Sequence, residues 1–459
     1  MNIKNNSKNI KKNDIFICTH DEYEDRHKYI DQAIEKGAKA IITDKNIKNK
    51  KVPIIKVENT NKTLYQIYND YYNDPLKNIN TIAITGTDGK TSTALIIKNL
   101  LDNYTKTAYM GTNGFIYKDN HIKMNNTTPE IKEILKNAKI LKDNQINNLV
   151  MEASSEALLH NRCEGLLFDR AILTNITGDH LNAHKNFQNY LESKLKLFTK
   201  LKENGIAIIN IDDQNSDKVI KTLKQNNKKY ITYAKNKKAD FYIKDIKEEN
   251  NKTTYKLIHN KKEYKVTSPL LGIYNTYNLT AAIATLTTYN YKINDIINNI
   301  YNIKEIPGRT NIMYDKKYKV ILDYAHTINA TKNILDYANK IKKTRIITVV
   351  GCAGGREHEK RPILGKIITT LSDYVIFTTD DPRYEKVTDI IKDITKNVEK
   401  NNYKTIINRK KAIKYAIKSA KENDIILVLG KGIDNYMAIK NKYKKYCDKD
   451  VIEKILKKK

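Results

Sequence analysis

Tryptophan is missing altogether, cysteine occurs only four times, and no apolar run is long enough for a membrane span. A span needs about 20 consecutive apolar residues, so the sequence predicts no membrane insertion. The opening stretch MNIKNNSKNIKKND is polar and lacks the apolar segment of a secretory signal. Cys18, Cys163, Cys352 and Cys447 form no CxxC pair and no disulfide-like spacing, which suits a reducing, cytoplasmic compartment. Acidic residues are outnumbered: Lys and Arg total 83, Asp and Glu 52, giving a formal net charge of +31. Such an excess ordinarily points to nucleic acid or an anionic surface. Here the basic residues are spread over the whole length, and without Trp there is no stacking-rich basic block. The excess accompanies a bias to Lys, Asn, Ile and Tyr of the kind an AT-rich coding sequence produces. It predicts no nucleic-acid partner, although phosphorylated or carboxylated small molecules would still benefit from the field.

What is present is a regular α/β pattern. A chain of 459 residues exceeds what one core serves, and its pattern divides into residues 1–78, 79–306 and 307–459. The first segment holds short β-like runs (DIFIC, KAIIT, VPIIKV) and one helical stretch, HKYIDQAIEKG. The second opens with TIAIT and a helix through ALIIKNLL, continues through NNLVMEA and RAILTN, and includes a polar alternating section at 230–267. That section (KYITYA, DFYIKDI, TTYKLI, EYKVT) reads as antiparallel strands and hairpins. After PGR at Pro307–Arg309, four apolar strands (KVILDY, RIITVV, YVIFTT, DIILVLG) alternate with helical segments, the pattern of a parallel sheet covered by helices.

The strongest local signal is TIAITGTDGKTS. A strand ends at Thr85, Gly86, Thr87, Asp88, Gly89, Lys90, Thr91 and Ser92 follow, and a helix begins. Glycines let backbone N–H groups wrap phosphate oxygens, and a helix N-terminus adds positive potential. Lys90 would neutralise the β- and γ-phosphates and the Thr91 hydroxyl would ligate Mg²⁺. The G-x-x-G-K-T spacing is shorter than the full P-loop pattern of general ATPases. Two further strands end in polar groups: NNLVMEASSE brings Glu152, Ser154 and Ser155, and RAILTNITGDHLNAH brings Asn175, Asp179 and His180. Ligands in open α/β sheets bind beyond the carboxyl ends of strands. If the three strands are parallel, Lys90, Thr91, Glu152 and His180 converge into a phosphate and Mg²⁺ site.

These residues resemble the Mur ligase family, the cytoplasmic ATP-dependent amide-forming enzymes of peptidoglycan synthesis. Within it they are most similar to members that add the third residue, a diamino acid, to UDP-N-acetylmuramoyl-L-alanyl-D-glutamate. The resemblance spans nearly the whole chain through ITGTDGKTS, NNTTPE, MEASSEAL, FDRAILTNITGDHLNAH, ESKLKLF, LLGIYNTYNLTAAIA, PGR, ILDYAHT, GCAGGREHEKRP, DDPR and GKGID. It implies three α/β domains: a UDP-sugar-binding domain, a P-loop ATPase-like parallel-sheet domain and a Rossmann-like domain for the amino acid. It implies a monomer using ATP and Mg²⁺, with Lys90, Lys194 and His180 as catalytic residues. Lys194 falls at the family's carbamylated lysine, and Thr91, Glu152, His180 and Lys194 would serve the metal. Asn278, Arg309, Asp323 and His326 match nucleotide positions. Ser7, Thr127, Thr128, Ser154, His160 and Arg162 match the muramoyl-peptide side. Arg356, Asp380, Asp381, Pro382, Arg383, Gly430 and Asp434 match positions around the diamino acid.

The sequence also departs from the family. The N-terminal domain lacks a first strand and helix, Lys8 replaces an arginine and Arg26 a glycine. His160 stands at a glutamine, Asn311 at a glutamate, Ile328 at a proline and Asp434 at a glutamate. Diaminopimelate-adding members carry DNPR, whose arginine grips a carboxylate, whereas here the stretch is TTDDPRYE. Arg383 predicts meso-2,6-diaminopimelate. Asp381 would face an ammonium, which keeps L-lysine or another diamino acid open. A folylpolyglutamate synthetase-like ligase and an ATP-driven nucleic-acid-binding protein are the remaining alternatives.

Overall fold

The computed structural model describes residues 2–48, 51–178, 181–249 and 251–457. Among them, three helix-covered sheets build a three-domain α/β architecture. In the first sheet Ile3–Lys4, Ile15–Ile17, Ala40–Thr43 and Ile54–Lys56 lie side by side, all parallel. The single helix expected here is joined by a second, Thr60–Tyr71, capped where Asn59 Oδ1 accepts the Lys62 N–H at 2.9 Å. Its buried stripe includes only two large apolar residues, Leu64 and Tyr68, among polar neighbours, so its helical period is hard to see.

Eleven described strands form the second sheet. Asn80–Thr85 sits between Phe168–Leu173 and Asn148–Glu152 and runs parallel to both. Its residues after Asn80 are all buried, as expected for a strand covered on both faces. The chain leaves it toward Thr107–Gly111 on one side and later reaches Phe168–Leu173 on the other. This reversal opens a crevice at the strand ends, where Gly86, Glu152 and Thr174 become neighbours.

One expectation fails in this sheet. Lys229–Ala234 is parallel to Leu201–Asn210 and to Phe241–Glu249, and within the 230–267 section only Phe241–Glu249, Lys252–His259 and Lys262–Ser268 pair antiparallel. Alternation of side chains is blind to strand direction. The crossover helix Ser216–Gln225 is what makes the pairing with Leu201–Asn210 parallel.

In the third sheet Lys319–Asp323, Ile425–Leu429, Ile346–Val350, Tyr374–Phe377 and Tyr403–Thr405 are parallel, with Asn311–Asp315 antiparallel at one edge. The four expected strands therefore do end on one edge. An unforeseen hairpin, Tyr436–Ile439 with Lys442–Lys445, bridges through Ile439 to Arg383. No helix among the described residues is long and apolar enough to cross a membrane.

Candidate active site

A cleft of about 1490 Å³ runs from the second sheet to the third, and Thr87–Ser92 line it. The loop can take its path only because two positions are glycine. Gly86 has φ 154°, and a Cβ there would collide with Thr174 Oγ1. Gly89 has φ 84° as the cap of helix Lys90–Leu101, and a Cβ there would come within 2.6 Å of Asn278 Oδ1. The end of Phe168–Leu173 clamps the loop. Asn175 Oδ1 accepts the Asp88 N–H at 2.9 Å, and the Thr174 hydroxyl donates to Asp88 O at 2.6 Å. Lys90 Nζ donates to Gly86 O and Thr87 O, both at 2.8 Å, so its ammonium lies over the loop.

Glu152, fully buried at its strand end, accepts the Thr91 hydroxyl at 2.9 and 3.0 Å on its two oxygens. Tyr109 OH donates at 2.5 Å, and the Thr112 N–H and hydroxyl at 3.0 and 3.2 Å. Burial, and then the carboxylate itself, hold the Tyr109 phenol far above its ordinary pKa, so it stays a donor. Lys194 is 1% exposed; its Nζ donates to Gly86 O at 2.7 Å and lies 4.5 Å from the Tyr190 ring centre. His180 lies outside the described residues. Among those described, no three His, Cys, Asp or Glu side chains gather as a metal cage. Magnesium needs no such cage, because it keeps several waters and is held by one or two carboxylates together with substrate phosphates.

The third sheet closes the cleft from the other side. Arg309 Nη2 donates to Thr91 Oγ1 at 3.4 Å, and its guanidinium stacks 4.5 Å from the Tyr324 ring. The Thr327 hydroxyl, which caps helix Ile328–Ile341, donates to the Asp88 carboxylate at 3.0 and 3.1 Å. Asp323 accepts the Thr310 and Ala325 N–H groups at 2.6 and 2.7 Å; burial raises its pKa against the pull of Arg309. His326 lines the cleft with Nδ1 2.8 Å from Tyr324 O.

Along the third sheet's edge the charges are largely spent on one another. Lys431, 1% exposed, donates to Asp381 Oδ1 at 2.8 Å and lies 3.9 Å from Asp380 and 3.8 Å from Asp434. Asp380 is buried against Gly430, where a Cβ would come within 2.6 Å of its Oδ2, and burial raises its pKa despite Lys431 and Arg409. Glu385 takes two bonds from the Arg361 guanidinium, at 2.8 and 2.9 Å, and one from the Gly355 N–H. Arg383 stands half-exposed at φ 51°, its Cδ 3.8 Å from where a Gly355 Cβ would lie.

Known proteins match this chain along nearly its whole length. The Mur ligase middle domain matches residues 84–286, and the Mur ligase glutamate ligase domain matches 308–432. The UDP-N-acetylmuramoyl-L-alanyl-D-glutamate–2,6-diaminopimelate ligase of Clostridium tetani is 37% identical over 99% of this chain and 94% of its own. The chain belongs to the Mur ligase family. The enzyme of the same name from Aquifex aeolicus is 36% identical over 98% of this chain and 92% of its own. A solved structure of a UDP-N-acetylmuramoyl-L-alanyl-D-glutamate–2,6-diaminopimelate ligase superposes with TM-score 0.69 at 26% identity, covering 100% of this chain and 94% of that one. A Mycobacterium tuberculosis folylpolyglutamate synthase shares the fold, with TM-score 0.67 at 14% identity over 80% of this chain and 92% of its own.

Within this Mur ligase, the cleft gathers the loop, Glu152, Lys194, Asn278, Arg309, Asp323 and His326 with Thr127, Ser154, Arg162, Arg356 and Asp434. Other expected residues stand elsewhere. Thr128 is fully buried, its hydroxyl donating to Glu152 O at 2.7 Å and accepting the Ser154 N–H, so it braces the site from behind. Ser7 is buried on Gln32 at 2.6 Å, and His160 pairs with Asp21 at 2.9 Å; neither lines the cleft. Asp380, Asp381, Pro382, Arg383 and Gly430 also lie off its lining. Asp381 was expected to face an ammonium of the substrate; the ammonium it meets is Lys431. Lys431, Tyr109, Thr112 and Arg361 were not singled out from the sequence. A buried tyrosine in a strand, or a lysine between two glycines, carries no signal that distinguishes it from ordinary core or turn.

Proposed function

We propose that this chain is the ATP-dependent ligase that joins meso-2,6-diaminopimelate to the D-glutamyl γ-carboxylate of UDP-N-acetylmuramoyl-L-alanyl-D-glutamate. The observation that carries the proposal is one cleft in which Lys90, Thr91 and Glu152 meet residues of the muramoyl-peptide side and of the third sheet. Thr127, Ser154 and Arg162 hold the peptide so that its γ-carboxylate oxygen attacks the γ-phosphorus in line. The bond to the β,γ-bridging oxygen breaks, leaving an acyl phosphate and ADP. Lys90 draws charge from the transferring phosphoryl group. Arg309 and His326 bring the third sheet over the nucleotide and exclude water, which would otherwise hydrolyse the acyl phosphate. The diamino acid's neutral amine then attacks the acyl carbon, the C–O bond to phosphate breaks in the tetrahedral intermediate, and the departing phosphate takes up the proton that the nitrogen releases as the amide forms.

Thr91 and Glu152, in mutual contact, are hard oxygen donors suited to Mg²⁺, which when bound neutralises phosphate charge. A carbamate on Lys194 would leave one N–H for Gly86 O and would supply anionic oxygens for the metal. Both remain part of the proposal, as does the role of His180.

For the amine, the decisive group is Arg383. Its acidic neighbours in TTDDPRYE are taken up: Asp380 and Asp381 by Lys431, Glu385 by Arg361. That leaves the guanidinium for a substrate carboxylate, which diaminopimelate carries at its distal end and lysine does not. The test is purified enzyme with the UDP-muramoyl dipeptide, ATP and, in turn, diaminopimelate, lysine and ornithine. ADP release and product formation with diaminopimelate are expected. Turnover of lysine alone would overturn the choice of amine.

A further inference from the structure

The geometry points to Lys431 as a positioning residue for amino-acid recognition: it pins Asp381 to the hairpin and so holds the Arg383 turn at the substrate. This rests on the proposed function and deepens it.

Asp381 Oδ1 receives two donors at once, Lys431 Nζ at 2.8 Å and the Ala438 N–H at 3.0 Å. Ala438 belongs to the hairpin strand Tyr436–Ile439. That strand in turn brackets Arg383 through its backbone. The Arg383 N–H donates to Ala438 O at 3.0 Å, and the Lys440 N–H donates to Arg383 O at 2.7 Å. Arg383 sits at φ 51°, a left-handed conformation that a non-glycine residue keeps only when its surroundings impose it. The two backbone bonds impose it here, and the shared Asp381 oxygen ties strand and turn together. The hairpin itself is short and half-exposed, so it has little core of its own to fix its place.

Lys431 also decides what charge the pocket offers. Burial works against its ammonium, yet Asp380, Asp381 and Asp434 together raise its pKa and keep it charged. With Asp381 neutralised, the acid that lines the cleft here is Asp434, steadied by Tyr324 OH at 3.0 and 3.1 Å. Asp434, on the lining, then faces an ammonium, and Arg383, off the lining but 3.8 Å from the Cβ position of Gly355 and so beside the lining residue Arg356, reaches for a carboxylate. An unpaired acid at Asp381 would repel that carboxylate. The aspartate that stands where related sequences carry asparagine is thereby absorbed into the protein.

The test compares Lys431→Met, Lys431→Gln and the double variant Lys431→Met/Asp381→Asn with the wild type. KM values for diaminopimelate and ATP, kcat and thermal midpoint are measured for each. Lys431→Met should raise the KM for diaminopimelate at least about tenfold, the size of a lost charge-assisted bond, while the KM for ATP changes less than about twofold. Lys431→Gln, which keeps an N–H for Asp381, should fall between. Adding Asp381→Asn to Lys431→Met should recover part of the loss, because the orphaned carboxylate is gone. Equal losses in both KM values without that recovery, or an unchanged KM for diaminopimelate, would overturn the assignment. If Lys431→Met does not fold, the Lys431→Gln shift and the wild-type-like KM for ATP decide the matter. Wild-type turnover of lysine instead of diaminopimelate would remove the proposed substrate but not the positioning role, which is then read on the KM for lysine.

Discussion

The nucleotide end and the amino-acid end of the cleft handle charge differently. At the nucleotide end Lys90, Thr91, Glu152 and Lys194 crowd around one glycine-built loop, and short hydrogen bonds bring them into one place. At the amino-acid end most charges face inward: Lys431 engages Asp381, Arg361 engages Glu385, and Arg409 engages Asp448. The first arrangement waits for a polyanion that brings its own charge. The second builds an edge from paired ions, and in the proposed reading Arg383 and Asp434 are the groups that read the ligand. A buried pair contributes little net stability, yet breaking one leaves an uncompensated charge, so such pairs serve geometry more than affinity.

That contrast breaks most sharply at the loop. Lys90→Ala or Glu152→Gln should lower kcat by about a thousandfold, as removal of a transition-state charge partner does, with folding intact by circular dichroism. Chelation of divalent metal should abolish turnover and added Mg²⁺ restore it, measured as ADP release.

Next in size is the scaffold of the other end. Arg409 is buried with Asp448, and it also donates to Thr379 O at 3.3 Å and Leu429 O at 2.7 Å, the strand ends before Asp380 and Gly430. Arg409→Met should cost about 3–5 kcal/mol of stability, because it strands a buried carboxylate. Urea denaturation checks this.

Arg383→Ala tests recognition rather than architecture. The KM for diaminopimelate should rise about 10- to 100-fold, and that for ATP should stay within about twofold. Steady-state assays with each substrate varied separate the two.

The smallest effect concerns pH. The bond from Arg361, working against partial burial, pulls the Glu385 pKa down to about 2 from the ordinary glutamate value. Its contribution is therefore complete above that ordinary value and is lost as pH falls toward about 2. The thermal midpoint of Glu385→Gln should approach that of the wild type as pH is lowered through this window. A gap that stays constant would remove Glu385 from the paired edge.

The two ends also differ in how much of them the sequence disclosed. Strand–glycine–lysine–helix is local chemistry, so Gly86–Ser92 could be read directly from the order of residues. Glu152 and Asn175 followed from strand ends and the rule that parallel sheets bind ligands there. At the amino-acid end the residues were named but their partners were not. Asp381 and Lys431 are fifty positions apart in sequence and 2.8 Å apart in space. Arg361 reaches Glu385 across 24 positions of chain, from the first turn of helix Lys360–Leu371. The hairpin that holds Arg383 pairs YMAI with KYKK, two four-residue strands too short to show a period-two alternation. Lys229–Ala234 was assigned the wrong direction because period-two alternation serves parallel and antiparallel neighbours alike.

The sequence by itself determined the family, the fold class, the phosphate loop and the set of polar residues at the strand ends. It could do so because those features rest on backbone geometry and on contacts between near neighbours. Only the tertiary structure decided which of the charged residues are available to a ligand. In TTDDPRYE three acids stand around one arginine, but burial makes an unpaired charge costly, so Asp380 and Asp381 take Lys431 and Glu385 takes Arg361. What is left over, Arg383, is a property of the packed edge rather than of the stretch that carries it.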